Sequence, residues 1–370
     1  MLASIVNFLI IIPVILGSFL ITFDKQTYQV IKKPKIIENK ALYITGYTAG
    51  WKARREELVK LIEETELNSI VIDIKDASGR IFFDTNIPLA DEIGSEDIRI
   101  PDLKDFLAEL KQKEIYTIGR IVVFQDPYLA KNKPEIALQS KYGGLWRDYK
   151  GQSWVDPTQR LVWDYNLDVA KEAVKIGFDE INFDYIRFPS DGPIRQISFA
   201  HLDDATNGGK SEEMKKFYRY LNKVMSSQPA LTSADMFGMV LWRDDGMSIG
   251  QKLADAYPNF DFICPMVYPS HYPIGFEGFE NPAAHPYEII YRSLIRAEEY
   301  CPEKEPCRAK IRPWLQDFDL GAVYTPDMIK LQKQATYDSG GYGWLLWNAS
   351  NHYTVGGLEP NNEVSELTNK

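Results

Sequence analysis

A single-domain α/β fold, a closed (β/α)8 TIM barrel, is what this sequence predicts, and three observations predict it. Eight short apolar runs recur between residues 41 and 347. Amphipathic helical stretches separate them, so strand and helix alternate. The long connections follow runs, whereas those leading into runs are short. Such alternation builds βαβ units with parallel strands, and eight units suffice to close a barrel. A doubly wound open sheet is the alternative.

The runs are ALYITGY (41–47), SIVIDIK (69–75), IYTIGRIVVF (115–124), FDEINFDYI (178–186), LTSADMFG (231–238), DFICPMVY (261–268), KIRPWLQ (310–316) and GYGWLLW (341–347). Helical periodicity follows the first four as ARREELVKLIEETEL, PDLKDFLAELKQKE, LVWDYNLDVAKEAVKIG and SEEMKKFYRYLNKVM. MSIGQKLADAY, PYEIIYRSLIRAEEY and TPDMIKLQKQATYDSG follow the next three. In the last of these, Thr325 before Pro326 marks a helix start and Gly340 a stop. Long loops follow the third, fourth and sixth runs. In a barrel the βα loops build the active face, so elaboration there points to a site.

The fourth run is unusual. One parity carries Ile181 and Phe183, as a buried strand should, but the other carries Glu180, Asn182 and Asp184. In a barrel that polar parity points inward. Asp184 then lies near the C-terminal end, where barrel enzymes keep their chemistry, and the deeper Glu180 is structural.

The net charge of −10 over 370 residues argues against a polyanionic partner, so no nucleic acid is expected. Residues 2–23 carry no charged side chain and are long enough to cross a bilayer. No small-x-small cleavage site follows, which predicts a transmembrane signal anchor at 1–23, a linker at 24–40, the barrel at 41–355 and a C-terminal tail at 356–370. Lys25, Lys32, Lys33 and Lys35 after the segment favour a cytoplasmic body by the positive-inside rule. An apolar helix at the very N-terminus more often serves export, and the expectation is an anchored extracytoplasmic protein, or a secreted one if the segment is cleaved. Cys301 and Cys307 could pair in an oxidising compartment or stay as two thiols, and Cys264 reads as core.

Acids converge at the predicted strand ends. Asp73, Lys75 and Asp76 end the second run, Arg120 lies near the end of the third, Tyr185 and Arg187 follow Asp184, Asp235 is in the fifth, and Trp314, Gln316 and Asp317 end the seventh. Tyr268 and His271 follow the sixth, and Trp347 and Asn348 end the eighth. Paired carboxylates are what glycosidic cleavage needs: one protonates the leaving oxygen, the other attacks or activates water. Aromatic rings suit the C–H faces of sugars. The four histidines show no metal-ligand spacing, so neither metal nor cofactor is expected. GMSIG (246–250) matches the nucleophile elbow in letters, but no strand runs straight into its serine.

The motifs VIDIKDASG, GRIVVFQD, WVDP, FDEINFDYIRFP, SADMFG, PMVYPSHY and RPWLQDF resemble the putative glycosyl hydrolase domain family of bacterial (β/α)8 proteins, distantly similar to α-amylase-type hydrolases. That resemblance covers about residues 40–352 and implies a carbohydrate-active barrel. By position it implies Asp184 as nucleophile, Asp235 as acid/base and Asp317 as a further catalytic acid. The fifth run offers Asp where the α-amylase pattern has Glu, and Arg187 follows the fourth-run acid instead of preceding it, so Glu277 and Glu280 remain rivals to Asp235. The expected function is a membrane-tethered glycoside hydrolase acting on a polysaccharide; a non-catalytic glycan-binding barrel of the cell envelope is the alternative.

Overall fold

The computed structural model describes residues 32–199, 201–202, 206–301 and 307–361. Eight parallel strands close into a barrel: β1 (Asn39–Ile44), β2 (Ser69–Lys75), β3 (Tyr116–Val122), β4 (Glu180–Asp184), β5 (Leu231–Phe237), β6 (Phe262–Met266), β7 (Trp314–Gln316) and β8 (Gly343–Trp347). β8 pairs with β1, and closure comes at the seventh position. There a first piece, Lys310–Ile311, pairs with β6, and β7 then bridges β6 and β8 through Trp314. Pro313 lies between the two pieces and has no N–H to give the ladder, which accounts for the interruption.

Strand parity divides two cores. In β2, Ile70, Ile72 and Ile74 join the layer between sheet and helices, while Val71 faces the barrel interior with Ala41, Ile118, Leu231 and Leu345. β4 does the same with polar residues: Ile181 and Phe183 pack outward, and Glu180 reaches Arg312 across the interior.

The outer ring consists of α1 (Lys52–Glu64), α2 (Leu103–Gln112), α3 (Arg160–Ile176), α4 (Asn207–Met225), α5 (Leu253–Ala256), α6 (Pro286–Leu294) and α7 (Pro326–Asp338). Thr325 caps α7 from its side chain, as the Thr-Pro signal predicts. α3 stops at Gly177, whose φ of 124° few residues with a Cβ adopt, and the chain turns into β4. MSIGQKLADAY yields only the four-residue α5, because Met247, Ser248 and Gly250 take φ of 49°, 60° and 84° and break the helix before Leu253.

Two of the long loops are tied to each other. Gln139–Ser140, after β3, pairs antiparallel with Ile197–Ser198, after β4. One wall of the barrel mouth is thereby fixed.

The expectation of a transmembrane helix needs correction: among the described residues no helix is long and apolar enough to cross a membrane. Residues 2–23, on which it rested, lie outside the described residues. Cys301 and Cys307 form a disulfide, and Cys264 is free and buried.

Candidate active site

Parallel register puts Asp73, Arg120 and Asn182 side by side on β2, β3 and β4. Arg120 is the hub. Its Nη1 donates to Asp73 Oδ1 at 2.6 Å, its Nη2 donates to Asp184 Oδ2, and its Nε stands 3.6 Å from Asp235 Oδ2. Burial works against the Arg120 charge, but Asp73 and then Asp184 outweigh it and hold its pKa well above the ordinary arginine value. Tyr43 donates to Asp73 Oδ2 at 2.5 Å. Burial raises the Asp73 pKa, and Arg120 opposes the rise.

The two remaining acids sit in different surroundings. Asp184 Oδ1 accepts the backbone N–H of Tyr185 at 2.5 Å. Tyr185 stands at φ 52°, so the strand ends in a left-handed turn that costs about 1–2 kcal/mol for a residue with a Cβ. Asp235 Oδ1 accepts from Asn182 Nδ2 at 2.8 Å and from Trp314 Nε1 at 2.7 Å. Burial, and then the Asp184 charge, push the Asp235 carboxyl up to about 8, while Arg120, Asn182 and Trp314 pull the other way. The site therefore holds a carboxyl that stays protonated near neutral pH beside one bound by a guanidinium and an amide. That is the division of labour an acid/base pair requires.

These groups open onto space. Asp184, Asp235, Trp314 and Trp347 line an inner cavity of about 140 Å³. Its upper residues, among them Tyr185, Arg187, Phe237 and Tyr268, also line a larger cavity of about 490 Å³, whose far walls include Trp154, Tyr272 and His271. A volume of this order holds a small ligand or a short oligosaccharide. Trp347 stacks on Tyr43 at 4.1 Å between ring centroids, which fixes its orientation. Gly238 keeps the wall thin, since a Cβ there would lie 2.6 Å from Met266 O.

The sequence-predicted residues divide accordingly. Asp73, Arg120, Asp184, Tyr185, Arg187, Asp235, Tyr268, His271, Trp314 and Trp347 gather around the two cavities or their charged floor. Lys75 instead forms a fully buried pair with Asp126 at 2.8 Å and donates to Val122 O. Asp76 closes a turn with Ser78. Asp317 accepts from the Thr354 N–H at 3.0 Å and the Thr354 hydroxyl at 2.6 Å, holding the loop after β8. Asn348 donates to Asp317 O and His352 O in the same loop, and Gln316 accepts from Ser270, tying the loops after β6 and β7. Glu277 and Glu280 are exposed, and Glu277 pairs with Arg292. Tyr43 and Asn182 were missed as site residues. Both occupy the inward parity of their strands, and that parity was the available signal.

Residues 41–353 match the family model described as putative glycosyl hydrolase domain. The chain belongs to that family. None of the curated proteins matches this chain. Among solved structures, a hypothetical protein from Ruminiclostridium thermocellum is 39% identical, over 52% of this chain and 96% of that one, with a TM-score of 0.48. The PgaB (BpsB) glycoside hydrolase domain from Bordetella bronchiseptica is 13% identical over 85% of this chain and 94% of its own, with a TM-score of 0.62. An exo-β-N-acetylglucosaminidase from Vibrio harveyi is 10% identical over 84% and 50%, with a TM-score of 0.54. At these identities the last two share the glycoside-hydrolase-type barrel with this glycosyl hydrolase domain, and the likeness is one of fold.

Proposed function

We propose that this glycosyl hydrolase domain cleaves a glycosidic bond of a polysaccharide by paired-carboxylate chemistry, with Asp235 as general acid and Asp184 as nucleophile or base. One observation carries the reading: Asp184 and Asp235 flank a single buried Arg120 on a cavity floor, and Asp235 is pushed up to about 8. Protonated, Asp235 can give its proton to the leaving glycosidic oxygen, and Asp184 can attack the anomeric carbon or deprotonate water. Arg120, between the two, offsets the charge left on Asp235 after transfer. The aromatic walls offer faces for sugar rings. Family membership supports the carbohydrate substrate. The Cys301–Cys307 disulfide favours a site of action outside the cytoplasm. The barrel at 41–355 is proposed to be the catalytic unit.

The test is reducing-sugar release from a panel of polysaccharides and peptidoglycan by the wild type, Asp184→Asn and Asp235→Asn. Release by the wild type that both variants lose supports the assignment. Release that survives in Asp184→Asn removes that residue from the mechanism, and binding without cleavage by all three proteins makes the chain a glycan-binding barrel.

A further inference from the structure

Four arginines of the described residues are buried: Arg55, Arg120, Arg187 and Arg312. Three have a carboxylate in ion-pair contact, namely Asp102 for Arg55, Asp73 and Asp184 for Arg120, and Glu180 for Arg312. Arg187 has none. It is 6% exposed, its Nη1 donates to the backbone carbonyl of Phe188 at 3.1 Å, and its guanidinium carbon lies 4.6 to 5.1 Å from the ring centroids of Phe237, Tyr185 and Trp154. A charge taken out of water costs several kcal/mol unless an opposite charge and hydrogen bonds receive it. Burial lowers the Arg187 pKa, and the through-space pull of Tyr185, Asp184 and Asp191 does not make up the loss.

The position of Arg187 gives the missing partner a place. It lines both cavities, and Asp184 lines the inner one. The acids around it are already engaged or lie in water: Asp184 is bound by Arg120, Asp148 accepts from Trp154 Nε1 and from the amides of Lys150 and Gln152, and Asp191 is exposed. Lys150, on the same wall, adds a second positive charge. A planar guanidinium held between aromatic rings presents donors in the geometry that a carboxylate accepts.

We infer that the glycan unit bound in the larger cavity carries a carboxylate, which Arg187 receives. The substrate class is thus a polysaccharide with a carboxylated sugar, such as a uronic acid, at that one unit, which a local cation among aromatic rings can receive although the chain as a whole is acidic. This rests on the glycan reading of the cavity but not on hydrolysis, and free sugars can test it without a bond to cut.

The experiment measures binding of D-glucuronate against D-glucose, and of D-galacturonate against D-galactose, to the full chain by ligand-observed NMR titration. The expected result is that each acid binds about tenfold or more tightly than its neutral counterpart, the ratio one charge-assisted hydrogen bond supplies. Arg187→Gln should remove the preference, so that each acid binds no more tightly than its neutral counterpart, and Arg187→Lys should keep part of it. Equal binding of acid and neutral sugar by the wild type overturns the inference, as does a preference that survives in Arg187→Gln. If Arg187→Gln does not fold, the wild-type comparison decides alone. Acid preference without cleavage of any polysaccharide would sink the hydrolase reading and keep this one, whereas cleavage of neutral glycans without acid preference would do the reverse.

Discussion

The indole Nε1 of Trp314 donates to Asp235 Oδ1 at 2.7 Å, from the one strand whose ladder Pro313 interrupts. The bond favours the charged form of an acid that burial pushes up to about 8. Trp314→Phe should therefore raise the Asp235 pKa further. A neutral hydrogen bond is worth about 0.5–1.5 kcal/mol and one pKa unit about 1.4, so the alkaline limb of the pH–rate profile should move up by about 0.5–1 unit. An unchanged limb would show that Asp235 does not set it.

In the wild type the same acid sets a direction for activity. Asp235 can donate a proton only below its pKa, so kcat should fall as pH rises through about 8. Stability has its own sign. The unfolded pKa is near about 3.9, so between that value and about 8 the unfolded chain loses this proton while the folded chain keeps it, and folding weakens as pH rises. Asp235→Asn should flatten this slope in thermal melts taken across that range.

Asp184→Asn should leave the fold intact and lower kcat by about 10²–10⁴-fold, the usual worth of a positioned acid/base group. The loss should appear in kcat more than in KM, as the role proposed for Asp184 on the reacting atoms requires, and steady-state kinetics on any cleaved polysaccharide would report it.

Asp317 behaves differently. Its carboxylate holds the Thr354 N–H and hydroxyl. Asp317→Ala leaves both donors unmet and should cost about 1–3 kcal/mol in urea unfolding. Activity per folded molecule should stay within a few-fold of wild type, and a loss as large as that of Asp184→Asn would restore a chemical role to Asp317.

At the opposite end of the barrel, Arg312 and Glu180 form a pair with neither side chain exposed, and Arg312 also donates to Asn39 Oδ1 at 2.7 Å. Arg312→Met strands the Glu180 charge and should destabilise by about 3–5 kcal/mol, measured by denaturant unfolding. The double variant Arg312→Met with Glu180→Leu should recover most of that loss.

Strand parity made much of this legible in advance. Alternation in FDEINFDYI put Glu180 and Asp184 inside the barrel and separated the deep acid from the one at the mouth, because side chains of a strand alternate faces regardless of the rest of the fold. The eight runs were legible for the same reason. MSIGQKLADAY misled because its apolar spacing is helical while Met247, Ser248 and Gly250 take backbone angles a helix cannot use.

The sequence by itself determined the barrel, the face that carries the site and the parity of its acids, since these follow from local periodicity and loop length. Only the tertiary structure decided which acids come together. Asp235 lies within β5 and Asp317 just past the end of β7, yet one meets Arg120 and the other meets Thr354. Partner, burial and pKa depend on atoms contributed by strands far apart in the chain, and these distances exist only once the barrel closes. Arg187 belongs to the same category, because its lack of a carboxylate partner among the described residues can be seen only once the barrel places its neighbours.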